Sequence, residues 1–286
     1  MPNAIDNVGL VVSLSRYPVK SMLGEELNAA PLTESGLFGD RAFGLFDAAD
    51  DKLVSAKQPR KWPVMFDCRA TYSAPPRLDA PLPAVWITLP NGDVVRSDDT
   101  RVDSVLSSAL GRDVRLRLAT ERKLTVEYVE DPLETGASVT DFSAALSAPS
   151  GTLFDYAPLH VLTTATLDQL RTVYPAGRFE LRRFRPNVAI QVTSGETGFV
   201  ENRWIGHTLA IGDEVLIRAV DPCPRCVMTT LPQGDLPRDL GILRAAAEYN
   251  RPHVSFAGAP QPSVGIYATV LHGGTIRRGD RVSVVN

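Results

Sequence analysis

Apolar and polar positions alternate in short runs along most of the chain, and Gly, Pro or Asp ends each run within a handful of residues. Such runs predict strands. In the first half they are Val8–Leu14, stopping at Tyr17-Pro18, then Leu27–Leu32, Ala42–Asp47, Val64–Tyr72, Val85–Leu89 and Val114–Leu118. Asn91-Gly92, between Trp86–Leu89 and Val94–Arg96, predicts a two-residue hairpin turn. Helical spacing is clearest over Val102–Leu110, with Asp99 or Thr100 as the cap and Gly111 as the stop. The second half predicts strands Leu159–Thr163, Val188–Val192, Leu209–Ile211, Val215–Ala219, Val264–Leu271 and Val282–Val285. Helices are predicted over Thr166–Tyr174, capped by Thr164 or Thr166 and closed before Pro175, and over Leu240–Asn250. Small, polar and acidic residues dominate 119–157 and predict a flexible connection.

The pattern thus predicts a mostly β protein with a few helices (α+β) and a barrel-like sheet. It divides into an N-terminal β domain over 1–125, a connecting segment over 126–157 and a C-terminal β-barrel domain over 158–286. The 286 residues suffice to bury a real core, and the 22 prolines shorten helices and favour strands and loops. A net charge of −3, with no basic stripe carrying interleaved aromatics, argues against a nucleic-acid partner. The apolar run near the N-terminus is too short for a signal peptide or a membrane span, so a cytoplasmic protein with no membrane partner is expected. Three cysteines are an odd count that fits reduced thiols better than a disulfide framework.

The densest chemistry is Asp221-Pro222-Cys223-Pro224-Arg225-Cys226. Half of a zinc site is one reading, but Cys68 and the scattered His160, His207, His253 and His272 show no finger spacing. A thiol redox pair is a second, although the surroundings are β-rich and Val227–Thr230 is strand-like. A lone soft ligand for a redox metal, with Arg225 beside an anionic cofactor, is a third. Two buried core cysteines are the bland alternative. Three basic phrases stand elsewhere: Tyr17-Pro18-Val19-Lys20-Ser21, Gly39-Asp40-Arg41 and Arg182-Arg183-Phe184-Arg185-Pro186-Asn187. Glycine-rich phosphate loops of the usual spacing are missing, so an anion would be held by a spatial cluster of side chains and loop amides.

YPVKS, RRFRPNV and CPRCVMTT, in this order and with GDR at 39–41 and the closing VGIYATVLHGGTIRRGDRV, resemble the MOSC family. The likeness is to its two-part members with an N-terminal MOSC-associated β-barrel domain, the amidoxime reducers and their bacterial counterparts. The resemblance implies a molybdenum cofactor (molybdopterin) with Cys226 as catalytic residue and thiolate ligand to the metal. It implies that Lys20, Ser21 and Arg41 hold the phosphate or pterin end, and that Arg185, Asn187, Thr163, Thr164 and Ala165 line the pterin. Pro224 and Arg225 would flank the ligand, and Tyr267 would lie close to the cofactor. The implied reaction is reduction of N-oxygenated or N-hydroxylated compounds by oxygen-atom transfer. A cofactor carrier without turnover is the alternative. The run TLPQGDLPRDLGILR after the cysteines differs from the acidic phrase of the amidoxime reducers, which leaves the substrate open. With no iron–sulfur cysteine set, flavin fingerprint or haem motif in these residues, electrons are expected from a separate ferredoxin, flavodoxin or cytochrome b-type carrier.

Overall fold

The computed structural model describes residues 4–119, 125–129, 139–143, 151–193 and 195–285. Seven strands close into a barrel in the order Val188–Val192, Leu159–Thr163, Ser263–His272, Val215–Pro224, Thr208–Ile211, Arg281–Val285 and Ala4–Arg16. The last of these pairs back onto Val188–Val192, completing the ring. Every pairing in it is antiparallel except Leu159–Thr163 with Val188–Val192. Inward-facing Val11, Leu14, Ile190, Leu209, Ile217, Ile266 and Val282 fill the interior, as a small barrel requires.

The opening strand is thirteen residues long and belongs to this barrel although it starts the chain. Ala29–Thr33 comes next, pairing with Gly274–Arg277, and Ala30, Leu32 and Leu37 enter the barrel core. Much of the first forty residues of the expected N-terminal unit therefore packs with the second. What remains of that unit is a separate core around Leu45, Trp62, Met65, Ile87 and Leu106. It is framed by the pair Phe43–Asp47 with Val114–Leu118, the meander Arg69–Tyr72, Val85–Thr88, Val94–Arg96, and helix α1 (Val102–Leu110).

Three helices cover one side of the barrel: α2 (Thr164–Val173), α3 (Leu181–Phe184) and α4 (Gly241–Tyr249). They share a small core of Leu167, Leu170, Phe179, Phe184 and Ile242. Among the described residues no helix is long and apolar enough to cross a membrane.

Several local expectations need correcting. The segment expected to be a flexible connection contains an antiparallel hairpin, Thr125–Val129 with Val139–Ser143, and Val126 is buried against Phe46, Leu53 and Leu153. Residues 120–124, 130–138 and 144–150 of that segment lie outside the described residues. The hairpin turn is centred on Pro90-Asn91 in place of Asn91-Gly92: the Gly92 amide donates to the Leu89 carbonyl at 2.9 Å, the Leu89 amide to the Asp93 carbonyl at 2.8 Å, and Gly92 takes the left-handed position at a φ of 89°. The strand expected from Val64 begins at Arg69, after a 3-10 turn over Met65–Asp67. The caps differ as well: Arg101 precedes α1, and Thr163 caps α2 by accepting the Thr166 amide at 3.2 Å.

Candidate functional site

Three phrases far apart in sequence meet where the barrel touches the smaller core. The opening strand delivers Tyr17–Ser21, which is stapled to the Gly39–Phe43 segment. The Tyr17 amide donates to Asp40 Oδ1 at 2.6 Å, the Arg41 amide to the Tyr17 carbonyl at 2.8 Å, and the Lys20 amide to the Phe43 carbonyl at 2.9 Å. Asn187 braces both: its side chain donates to Asp40 Oδ2 at 2.7 Å and to the Ser15 carbonyl at 3.2 Å, while Oδ1 accepts from the His160 amide at 3.2 Å and from Arg41 at 3.4 Å. Asp40, fully buried, also pairs with the Arg41 guanidinium.

The cysteine phrase arrives on Val215–Pro224, which runs past the expected end at Ala219 by taking up irregular register between Ala219 and Asp221 and between Pro222 and Pro224. Bulges of this kind let prolines sit in a strand that cannot use their missing N–H. Cys223 is buried, 1% exposed, on the strand; Cys226 is partly exposed beyond it. Val227–Thr230, expected as strand-like, is a 3-10 turn whose start is fixed by the Thr229 amide and hydroxyl donating to the Cys226 carbonyl at 3.2 and 3.1 Å. Arg183 pins the end of this turn and the chain beyond it. Its buried guanidinium has no carboxylate partner in these contacts and donates to the carbonyls of Arg178, Thr229, Leu231 and Pro237.

Together these segments enclose a cavity of about 240 Å³. Lys20, Ser21, Arg41, Arg185 and Asn187 line it, as do Pro224, Arg225, Cys226 and Tyr267. Thr163, Thr164 and Ala165, expected beside them, do not. The Thr163 hydroxyl is spent on the α2 cap and on Glu201, to which it donates at 2.6 Å, and Ala165 packs against the barrel core. Residues not anticipated from sequence complete the lining, among them Lys57, Asp155, Tyr156, His160 and Phe256. A lone lysine in SAKQP and a lone aspartate in a polar stretch carry no pattern that marks them.

Five cations face one carboxylate, Asp155, across this lining. Asp155 is shared by Lys20 at 2.8 Å and Lys57 at 3.0 Å, and although burial opposes its ionisation, the two lysines hold its carboxyl far below the usual range. Burial lowers the pKa of Lys20 despite this partner. Arg185 packs over Tyr17, 4.1 Å from the ring centroid, donates to the Met22 carbonyl at 2.6 Å, and is pushed down to about 10 by burial. Arg225 donates to Cys223 Sγ at 2.9 Å and to the Phe184 carbonyl at 2.8 Å; its buried Nε has no partner among the described residues. His160 is neutral, its pKa depressed to about 3 by burial with Arg225 nearby. Its Nε2 lies 3.0 Å from the Val264 carbonyl, which only accepts, so Nε2 carries the hydrogen.

The backbone is strained at the same place. Of the four non-glycine residues with positive φ among the described residues, Ser21 (66°), Arg41 (49°) and Arg185 (55°) line the cavity. Each left-handed residue with a Cβ costs about 1–2 kcal/mol, and such strain gathers where geometry is held for a ligand. A cation-rich, preorganised cavity with one partly exposed thiol suits a strongly anionic ligand carrying a soft centre. Among the described residues no three His, Cys, Asp or Glu side chains group as a metal site, so a metal here would draw its remaining donors from the ligand.

Two family models match this chain, one in each half. Residues 149–283 match the model of the MOSC domain and residues 8–91 that of the MOSC N-terminal beta barrel domain. The chain is 27% identical to mitochondrial amidoxime reducing component 2 of Homo sapiens, across 97% of this chain and 84% of that protein. It is 34% identical to mitochondrial amidoxime reducing component 2 of Rattus norvegicus across 45% of this chain, and that match spans only 37% of the rat protein's length. Among solved structures, the YUAD protein of Bacillus subtilis aligns over 99% of this chain and 98% of its own at 10% identity, with a TM-score of 0.46.

Proposed function

From the premise that this chain belongs to the MOSC family, as a two-part member with the N-terminal beta barrel domain, we propose that it is a molybdenum-cofactor-dependent oxidoreductase acting on N-oxygenated or N-hydroxylated compounds. The observation that carries the reading is the convergence of Lys20, Arg41, Arg185 and Arg225 with the accessible Cys226 in one cavity. The relatives named as amidoxime reducing components support the reaction class.

The residues present fit the group. Five cations match the charge of a phosphorylated pterin dithiolene, and the unpartnered Arg225 Nε offers a buried donor for a ligand atom. Lys20, Ser21 and Arg41 would take the phosphate end, Arg185 and Asn187 the pterin, with Pro224, Arg225 and Tyr267 beside the ligating Cys226. Charge-assisted hydrogen bonds are worth roughly 1.5–3 kcal/mol each, so several would hold the cofactor without a covalent link. When bound, the cofactor supplies two-electron chemistry that turns N–OH into N–H, with two electrons and two protons entering and one water leaving. The protein orients the substrate and keeps Arg225 and neutral His160 around the thiol turn. We take the electrons to come from a separate carrier protein docking near the cavity mouth, an encounter of the small, charge-steered kind.

Protein made in a host that synthesises the cofactor should contain molybdenum and pterin in equal amounts. It should reduce benzamidoxime with reduced viologen and do nothing with NADH or NADPH alone. Turnover with nicotinamide cofactor and no partner contradicts the external carrier. Full loading without viologen-driven turnover replaces the reductase by a cofactor carrier.

A further inference from the structure

The cavity also has an aromatic face. Tyr156, Phe256 and Tyr267 all line it, and their rings form one cluster. Tyr156 and Phe256 are in close tilted contact, with centroids 4.1 Å apart at 31°, and Tyr267 is 5.3 Å from Tyr156 and 6.4 Å from Phe256. Asp221, 2% exposed, fastens two of the three: Oδ2 accepts from the Tyr156 hydroxyl at 3.1 Å and Oδ1 from the Ser255 amide at 2.9 Å. Ser255–Ala257 is a single 3-10 turn at the tip of the short hairpin His253–Val254 with Ala259–Pro260, so Phe256 is presented on a tight tip. The third ring, Tyr267, lines the same cavity as Cys223 and Cys226. The cluster therefore borders the thiol turn on one side and the outside on the other.

Phe256 is 47% exposed. A single exposed phenylalanine needs no explanation, but this one packs against Tyr156 on one side and lines a charged cavity while staying half exposed. We propose that Phe256 and Tyr156 form a stacking shelf that makes this site select flat, conjugated N-hydroxylated substrates, such as aryl amidoximes and N-hydroxylated heteroaromatic bases, over aliphatic ones. The inference rests on the reductase reading given above. A planar ring laid on the outer face of Phe256 loses water from both surfaces and places its N–OH substituent toward Cys226. An alkyl amidoxime offers no such face. Offset stacking on an aromatic ring is geometry-dependent and tolerant of ring identity, which suits a class of substrates more than a single compound.

Two measurements on the cofactor-loaded full chain test it. In the first, Phe256→Ala should raise KM for benzamidoxime about fivefold to tenfold with kcat nearly unchanged, leave acetamidoxime within about twofold, and be rescued by Phe256→Tyr. An equal change for both substrates, or none, overturns the shelf. The second reads binding without turnover: calorimetric titration with adenine, a flat neutral heterocycle, should show weaker binding to Phe256→Ala by the same factor, with acetamide as the control. Equal adenine binding by wild type and variant overturns the shelf, even in a protein that reduces both oximes. Wild type that weakens for adenine on Phe256→Ala yet reduces neither oxime keeps the shelf and removes the reductase reading.

Discussion

Cys223 and Cys226 are three residues apart and chemically unequal. Cys223 is buried on the strand and accepts a hydrogen bond from Arg225, while Cys226 is partly exposed at the start of a 3-10 turn. Cys68 is buried in the smaller core, where loss of water pushes its thiol up to about 11. Thiolate character and access control alkylation, so iodoacetamide should modify one cysteine of the native chain, Cys226, and reach the other two only after unfolding. Cys226→Ser should lose all reductase activity and alter the absorption of the bound metal. Cys223→Ser should keep most of both, because a hydroxyl can still accept from Arg225. Two equally inactive variants would favour a dithiol over a single ligand. Spacing alone could not make this distinction: Cys-x-x-Cys reads the same whether one sulfur or both face the ligand.

At the scale of elements, Thr163 offers the sharpest contrast between resemblance and geometry. Family likeness implies that it lines the pterin; the structure gives its hydroxyl to the α2 cap and to Glu201. Glu201 is buried, Oε2 takes the hydroxyls of Thr163 and Thr166, and Oε1 has no partner among the described residues. Thr163→Val should therefore cost about 2–3 kcal/mol in urea unfolding while leaving molybdenum and pterin content unchanged. Lost cofactor with stability intact would return Thr163 to the cofactor. The elements legible in the sequence are those whose own side chains carry the signal. Helix α1 matches its expected span because its buried Val102, Leu106 and Leu110 share one face and Gly111 ends it at a φ of 67°. Four-residue α3 is too short for any periodicity and is dense in arginine; tertiary contacts fix it, Arg183 above all. Val215–Pro224 outruns its expected span because two prolines signal a stop unless a bulge absorbs them. The basic phrases of the site are legible as phrases, whereas Lys57 and Asp155 acquire meaning only through each other.

For the whole molecule, the order of units in the chain is not the order of packing. The opening strand runs between Val188–Val192 and Arg281–Val285, and Val8, Val11 and Leu14 go to the barrel core. It then turns directly into Lys20 and Ser21, so barrel closure and placement of the cationic wall are one structural event. A fragment of residues 149–286, which spans the MOSC match at 149–283, lacks this strand and leaves two unpaired edges beside an opened apolar interior. Exposed edges of that kind pair with other chains, so the fragment should aggregate. The register suggests the remedy: Ala4 lies opposite Val285, which places the described start and end of the chain side by side. A permuted fragment, residues 149–285 joined through a short Gly-Ser link to 4–37, restores the missing strand and the pairing of Ala29–Thr33 with Gly274–Arg277. It should be monomeric by light scattering and unfold in one transition reported by Trp204, which is buried in the barrel core, free of the other two tryptophans. A monomeric, cooperatively unfolding 149–286 fragment would show that the barrel closes without its N-terminal strand and would detach the cationic wall from barrel integrity.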